Sequence, residues 1–244
     1  MIINQRLYRS HTVGRRGKTI PELRWKDTPE FVEVAKAWNN DAITILVKLV
    51  WEGYDLLVAE ILSQINCDEA EEQIERSITQ SLERRIRRNM TGNEPFDVQH
   101  EVYEIESSQS AQAQPPQYDI AFYLRSNERI IWPLEAKVLK SDGAVGEYIK
   151  EINENFITCR YAPFSSQGGM LGYLFSGDSN KAFTNIAIKV PCTLSDHPYF
   201  KDRDHKTSKH QREVPSGKSY PTEFICHHLL LKIIASIPTS TSSV

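Results

Sequence analysis

The feature that most constrains this chain is a change in the spacing of its apolar residues between positions 86 and 96. In "EEQIERSITQSLERRIRRN" Ile74, Ile78, Leu82 and Ile86 recur every four residues, which makes one apolar stripe along a predicted helix. The Thr91-Gly92-Asn93 turn ends it. Beyond the turn the period becomes two. The segments "FDVQHEVYEI" (96–105), "YDIAFYL" (118–124) and "RIIWPLEAKVL" (129–139) are predicted strands. A helix feeding a three-stranded meander must lay its stripe on the sheet, so the expected class is α/β.

The rest of the chain fills in this plan. "TPEF" opens an earlier helix, with Thr28 as N-cap, Pro29 in the first turn and Glu30 behind it. Its periodicity runs to about residue 65, with a break expected near Gly53. After the meander, "GAVGEYIKEINENFITCRY" is a predicted helix, "GGMLGYLFSG" a fourth strand and "TNIAIKV" a fifth. "TEFICHHLLLKIIA" is expected to be a closing helix, on which His227 and His228 occupy core and surface positions. The result is a mixed central β-sheet flanked by helices. Residues 1–66 form a basic arm and N-terminal helical extension, 67–235 the main domain and 236–244 a flexible tail. No internal repeat is visible.

Composition narrows the partners. A net charge of −3 over 244 residues disfavours a polyanion binder of the whole surface, so a nucleic-acid surface would have to be local. Residues 1–25 are basic and allow two readings, a solvated arm or an arm laid along phosphates. Cys67, Cys159, Cys192 and Cys226 are scattered singly, as expected of reduced thiols in a cytoplasmic protein. The basic start has no apolar stretch behind it, so it does not read as a secretory signal. Lys48, Glu52 and Asp55 interrupt the most apolar helical stretch, so no membrane span is expected.

The chemistry centres on "WPLEAKVLK" (132–140), where an apolar strand carries Glu135 and Lys137 on one face. A two-residue turn at Ser126-Asn127 would set Arg125 against Glu128 and Asp119 opposite Leu134. A one-residue bulge at Trp132-Pro133 would then bring Asp119 level with Glu135. Two carboxylates and an ammonium at one spot suit a hard divalent cation and a substrate phosphate, the logic of a metal-dependent phosphodiesterase. A Glu-x-Lys pair is also common as a simple surface ion pair. The flanking apolar residues, Asp119 across the hairpin and the preceding acidic helix favour the first reading.

"YDIAFYL…IIWPLEAKVLK" resembles the signature of the PD-(D/E)XK nuclease superfamily, with the restriction-endonuclease-like fold, over about residues 70–190. Tyr118 stands where that pattern commonly has proline, although Pro115 and Pro116 lie close by. The resemblance implies that Asp119, Glu135 and the Ala136 carbonyl bind Mg²⁺, for which Mn²⁺ can substitute. It implies that Lys137 acts on the attacking water or on the transition state. It further implies an endonuclease acting on DNA, with RNA as the other candidate substrate, in restriction or anti-phage defence; double-strand cutting needs two sites, which a homodimer would supply. Relatives often add a helical Glu. Glu75 is preferred, Glu71 shares its face and Glu101 on the first strand is a further candidate, while the helix dipole explains the two helical residues equally well.

Candidate nucleic-acid contacts are Lys140 after the strand, Gln167 before the fourth strand, and Lys206, Lys209, His210 and Arg212 in the polar stretch 201–218. Each has a bland counterpart, as a plain loop or a solvated insertion. An alternative function is a catalytically silent binding or assembly subunit. No "GxxxxGK[ST]" motif occurs, so nucleotide-driven movement would need a helicase or ATPase partner.

Overall fold

The computed structural model describes residues 29–60, 69–104, 106 and 115–233. Two helices come first, α1 (Pro29–Glu60) and α2 (Glu71–Asn89). The meander follows as β1 (Phe96–Tyr103), β2 (Gln117–Leu124) and β3 (Asn127–Leu139). Helix α3 (Gly146–Glu151) runs directly into a π-turn, Ile152–Phe156, and β4 (Gln167–Leu174) precedes α4 (Ser179–Lys189). The described chain closes with β5 (Ser195–Asp196), β6 (His205–Gln211) and β7 (Glu223–Lys232). The basic arm and the tail lie outside the described residues.

All seven strands form one mixed sheet in the order β1-β2-β3-β4-β7-β6-β5. The pairs β3/β4 and β4/β7 are parallel and the rest antiparallel. Helices cover both faces. The stripe of α2 (Ile74, Ile78, Leu82, Ile86) and Leu46, Val50 and Leu57 of α1 pack on Trp132, Leu134, Ala136 and Val138 of β3. On the other face Tyr148, Ile152, Phe156, Phe183 and Ile186 pack on Met170, Leu174, Cys226 and Leu230. Alternation along β3 therefore turns Glu135 and Lys137 towards the α3 side.

Three expected elements differ. α1 continues unbroken through Gly53, because that glycine serves close packing: a Cβ there would stand 2.7 Å from Ile86 Cγ1. "TNIAIKV" belongs to helix α4, where Ala182, Phe183 and Ile186 are buried at helical spacing while Ile188 is exposed. Asp178 caps it, its side chain accepting the Lys181 N–H at 3.0 Å. "TEFICHHLLLK" is strand β7, paired with β4 and β6 and covered on both faces. A strand buried on both faces reads as a continuous apolar run, which periodicity cannot separate from a buried helix.

The hairpin also departs in detail. The turn is at Arg125-Ser126, and the register shifts between Tyr123, opposite Ile131, and Leu124, opposite Asn127. Pro133 pairs directly with Ala121 and is no bulge. It stands one residue before the ladder to β4 begins at Leu134↔Gly169, where its missing N–H is tolerated. The register nevertheless runs Ile120↔Leu134, and one further step sets Asp119 level with Glu135.

Strand β4 is buried at every position, and a Cβ at Gly168 would meet the Phe156 and Phe224 rings at 2.9 and 3.0 Å. Those two rings stack on each other with centroids 5.2 Å apart, so neither gives way easily. Gly168→Ala is expected to cost about 1–3 kcal/mol through overpacking, read as a lower urea midpoint at unchanged slope.

Candidate active site

Three elements bring their acids to the end of β3. Asp119 on β2 accepts the Ala136 N–H through Oδ2 at 2.7 Å. Glu75, one turn into α2, accepts the Val138 N–H through Oε2 at 3.0 Å. Together they hold the β3 backbone at Ala136, inside the Glu-x-Lys segment, and at Val138, just after it. Lys137 Nζ lies 2.8 Å from Glu135 Oε1, 3.3 Å from Glu75 Oε1 and 3.9 Å from Glu151 Oε1. Asp119, Glu135, Lys137 and Glu75 thus form one cluster, with Glu151 of α3 as a member the sequence reading did not single out.

The cluster is largely removed from water, and the charges respond. Burial raises Glu135 well above the usual carboxylate range, and the Asp119 charge adds to this. Burial likewise raises Asp119 and lifts Glu75 to about 7. Burial alone would lower Lys137, but Glu135, Asp119 and Glu75 outweigh it, so its amine is held as ammonium above its ordinary range. The Asp119 and Glu135 charges act on each other in this cluster. Two ionised carboxylates have no donor to offer, and Glu135 Oε2 is buried without a partner. A proton or a cation would satisfy that oxygen.

Tyr161 lines the same space. Burial raises its phenol, and Glu135, Glu151 and Asp119 raise it further. Its hydroxyl donates to the Gln117 carbonyl at 2.9 Å. His100 on β1 is near enough to favour ionised Asp119. Glu151, Tyr161 and His100 carry no local motif, and only the packing of α3 and β1 brings them here.

The other acids fall outside. Glu71 pairs with Lys140 at 2.7 Å on the exposed first turn of α2. Glu101 has a left-handed backbone (φ 57°), drops out of the β1 ladder and turns to Arg76 at 3.2 Å. Neither contributes to the cluster around Lys137.

The proposed nucleic-acid contacts divide in the same way. Lys140 is exposed beside a cavity of about 260 Å³ lined by Glu69, Glu71, Ile74, Val138 and Phe175. Gln167 is corrected: it is buried, its Nε2 donating to Asn40 Oδ1 at 2.8 Å and its Oε1 facing His227 Nε2 at 2.9 Å. Lys206 pairs with Asp196, and Lys209 is exposed on β6. β6 lies three strands from β3, about 14 Å across the sheet. His210 is engaged with Ser208 Oγ at 2.6 Å.

Arg212 is also corrected. It is buried, and its guanidinium donates to the carbonyls of Phe156, Ala162, Ser165 and Tyr161 at 2.9, 3.0, 2.9 and 2.6 Å. A guanidinium so engaged has no face left for phosphate. It instead ties down the segment in which Cys159 and Ala162 hold positive φ (60° and 47°) and from which Tyr161 reaches the acids. On the same segment Ala162 N–H donates to the Tyr118 hydroxyl at 2.7 Å, and that hydroxyl donates to Glu104.

Among the described residues, no three His, Cys, Asp or Glu side chains stand in position to hold a metal ion. Mg²⁺ commonly takes only one or two protein carboxylates and keeps several waters. The unpartnered Glu135 Oε2, in the same cluster as Asp119, fits that smaller donor set. Among the described residues no helix is long and apolar enough to cross a membrane. Comparison with protein-family models, with curated proteins and with solved structures finds no match.

Two outcomes follow from this geometry. Arg212→Ala strands four buried carbonyls and is expected to cost about 3–5 kcal/mol, measured by urea unfolding. Glu75, raised from 4.5 to about 7, contributes stability that is complete below its unfolded value and lost as pH rises through about 7. The buried imidazoles of His205, His227 and His228, lowered by burial, act oppositely and lose stability as pH falls below 6.5. The stability of wild type minus that of Glu75→Gln isolates the carboxyl. It should fall by about 2 kcal/mol from about pH 5 to about pH 8 in chelator.

Proposed function

We propose that this protein is a Mg²⁺-dependent nuclease of the restriction-endonuclease-like fold that hydrolyses phosphodiester bonds in DNA. The observation that carries the reading is the placing of Asp119 and Glu135 in one cluster, where their charges act on each other and Glu135 Oε2 is buried without a partner, beside the Lys137 ammonium. The mixed sheet with helices on both faces is compatible with that fold.

Asp119 and Glu135, with the Ala136 carbonyl, would hold the cation. When bound, Mg²⁺ supplies a Lewis acid for the phosphoryl oxygens and a more acidic water. The chain's own residues do the rest. Lys137, kept as an ammonium, opposes the negative charge that grows on the phosphoryl oxygens and is not the proton acceptor. Glu75 fixes both that ammonium and the Val138 backbone. Lys140, at the mouth of the adjoining cavity, exchanges Glu71 for a backbone phosphate.

Action as an endonuclease in restriction or anti-phage defence, in the cytoplasm, as a homodimer or with a helicase or ATPase partner, rests on the resemblance and on the unpaired cysteines. A second reading has its own support. Lys137 already supplies a counter-charge to Glu135 and Glu75, as it would in a catalytically silent assembly subunit.

Cleavage of plasmid and single-stranded DNA with Mg²⁺ or Mn²⁺ separates the two. The wild type is expected to cut, and Glu135→Ala and Lys137→Ala to lose activity on the order of 100-fold or more while melting cooperatively. A folded wild type that cuts no DNA or RNA with either metal sinks the nuclease reading and leaves the silent subunit.

A further inference from the structure

We infer that Glu151 is a positioning residue that holds the Lys137 ammonium in place when a cation takes over Glu135. The inference rests on the nuclease reading and adds a residue to it. Lys137 Nζ has three carboxylate oxygens within 4 Å, and they are not equivalent. The nearest, Glu135 Oε1 at 2.8 Å, belongs to the carboxylate assigned to the cation. A divalent ion held there would compete for the carboxylate that Lys137 uses and would repel the ammonium. The remaining anchors are Glu75 at 3.3 Å and Glu151 at 3.9 Å.

These two come from opposite faces of the sheet, Glu75 from α2 and Glu151 from α3. Glu75 alone leaves the ammonium free to swing about one contact, whereas the pair brackets it. Glu151 is itself held. Its Oε2 accepts from Asn155 Nδ2, which leaves Oε1 turned to Lys137. Asn155 sits on the π-turn, closed by Ile157 N–H donating to the Ile152 carbonyl at 2.9 Å, and its own carbonyl accepts the Tyr161 N–H at 2.8 Å. Such turns inside helices recur at functional sites, because the extra residue re-aims the side chains beside it. Here the turn begins directly after Glu151. The unpartnered Glu135 Oε2 is the independent sign that this pocket is built around a further positive group besides Lys137.

The test combines Glu151→Gln, which keeps the shape and loses the charge, with Lys137→Gln and the double variant. Mg²⁺ affinity is measured by calorimetry and the chemical step by single-turnover cleavage at saturating Mg²⁺. Glu151→Gln is expected to slow cleavage between about tenfold and 100-fold, with the Mg²⁺ Kd changed less than about twofold. The double variant should be no slower than Lys137→Gln, because Glu151 acts only through that ammonium. Glu151→Asp, which keeps the charge on a shorter stem, should recover part of the rate and guards against a Gln variant that misfolds. A Glu151→Gln rate equal to wild type overturns the inference. So do a Mg²⁺ affinity lost with Glu151, which would make it a cation ligand, and additive losses in the double variant. A wild type that neither binds Mg²⁺ nor cuts overturns the nuclease reading itself, and the inference with it.

Discussion

One ammonium among largely buried carboxyls is the interaction on which the rest of this structure turns. Lys137 stands between Glu135, Glu75 and Glu151, with Asp119 alongside. Ionised together, the four acids exceed the single positive charge. Burial answers by raising Asp119, Glu135 and Glu75 towards their neutral forms. Such a cluster takes up protons or accepts a cation, and it holds its shape only if the backbone around it cannot relax.

The surrounding fold supplies that stiffness. β3 is held along one edge by carboxylates that accept alternate backbone amides, Ala136 to Asp119 and Val138 to Glu75, and along the other by the β4 ladder. Its parallel neighbour β4 is buried throughout, with Gly168 where the Phe156 and Phe224 rings leave no room for a Cβ. The segment that brings Tyr161 to the acids is tied through Arg212 to four carbonyls. Charged side chains that look available for DNA in the one-dimensional string are, in Arg212, spent on keeping the site in shape.

The helix stripe of α2, the three strands of the meander and the common face of Glu135 and Lys137 were legible because each depends on spacing within one segment. Helical angle put Glu75 and Glu71 on one face, and only the packing of α2 on β3 separates the inward Glu75 from the exposed Glu71. β7 was not. Its apolar run has no polar side, and only its place between β4 and β6 makes it a strand. α4 was misread because Ile186 and Ile188 alternate, although only Ile186 is buried. Pro133 suggested a bulge, yet the shift that aligns Asp119 with Glu135 sits beside the turn. The total offset was right and its location wrong, since register depends on the sum of irregularities along a hairpin and not on where each occurs.

The amino-acid order by itself determined an α/β chain and a strand hairpin carrying Asp119, Glu135 and Lys137, because strand and helix periods decide which side chains share a face. Tertiary structure alone decided which more distant residues join them. Glu151 arrives on the last turn of α3, while Gln167 and Arg212 are withdrawn into hydrogen-bond networks with Asn40, His227 and the 156–165 carbonyls. The physical reason is that a polar side chain's role is set by whether burial leaves its hydrogen bonds unfilled, and burial is a property of the packed chain.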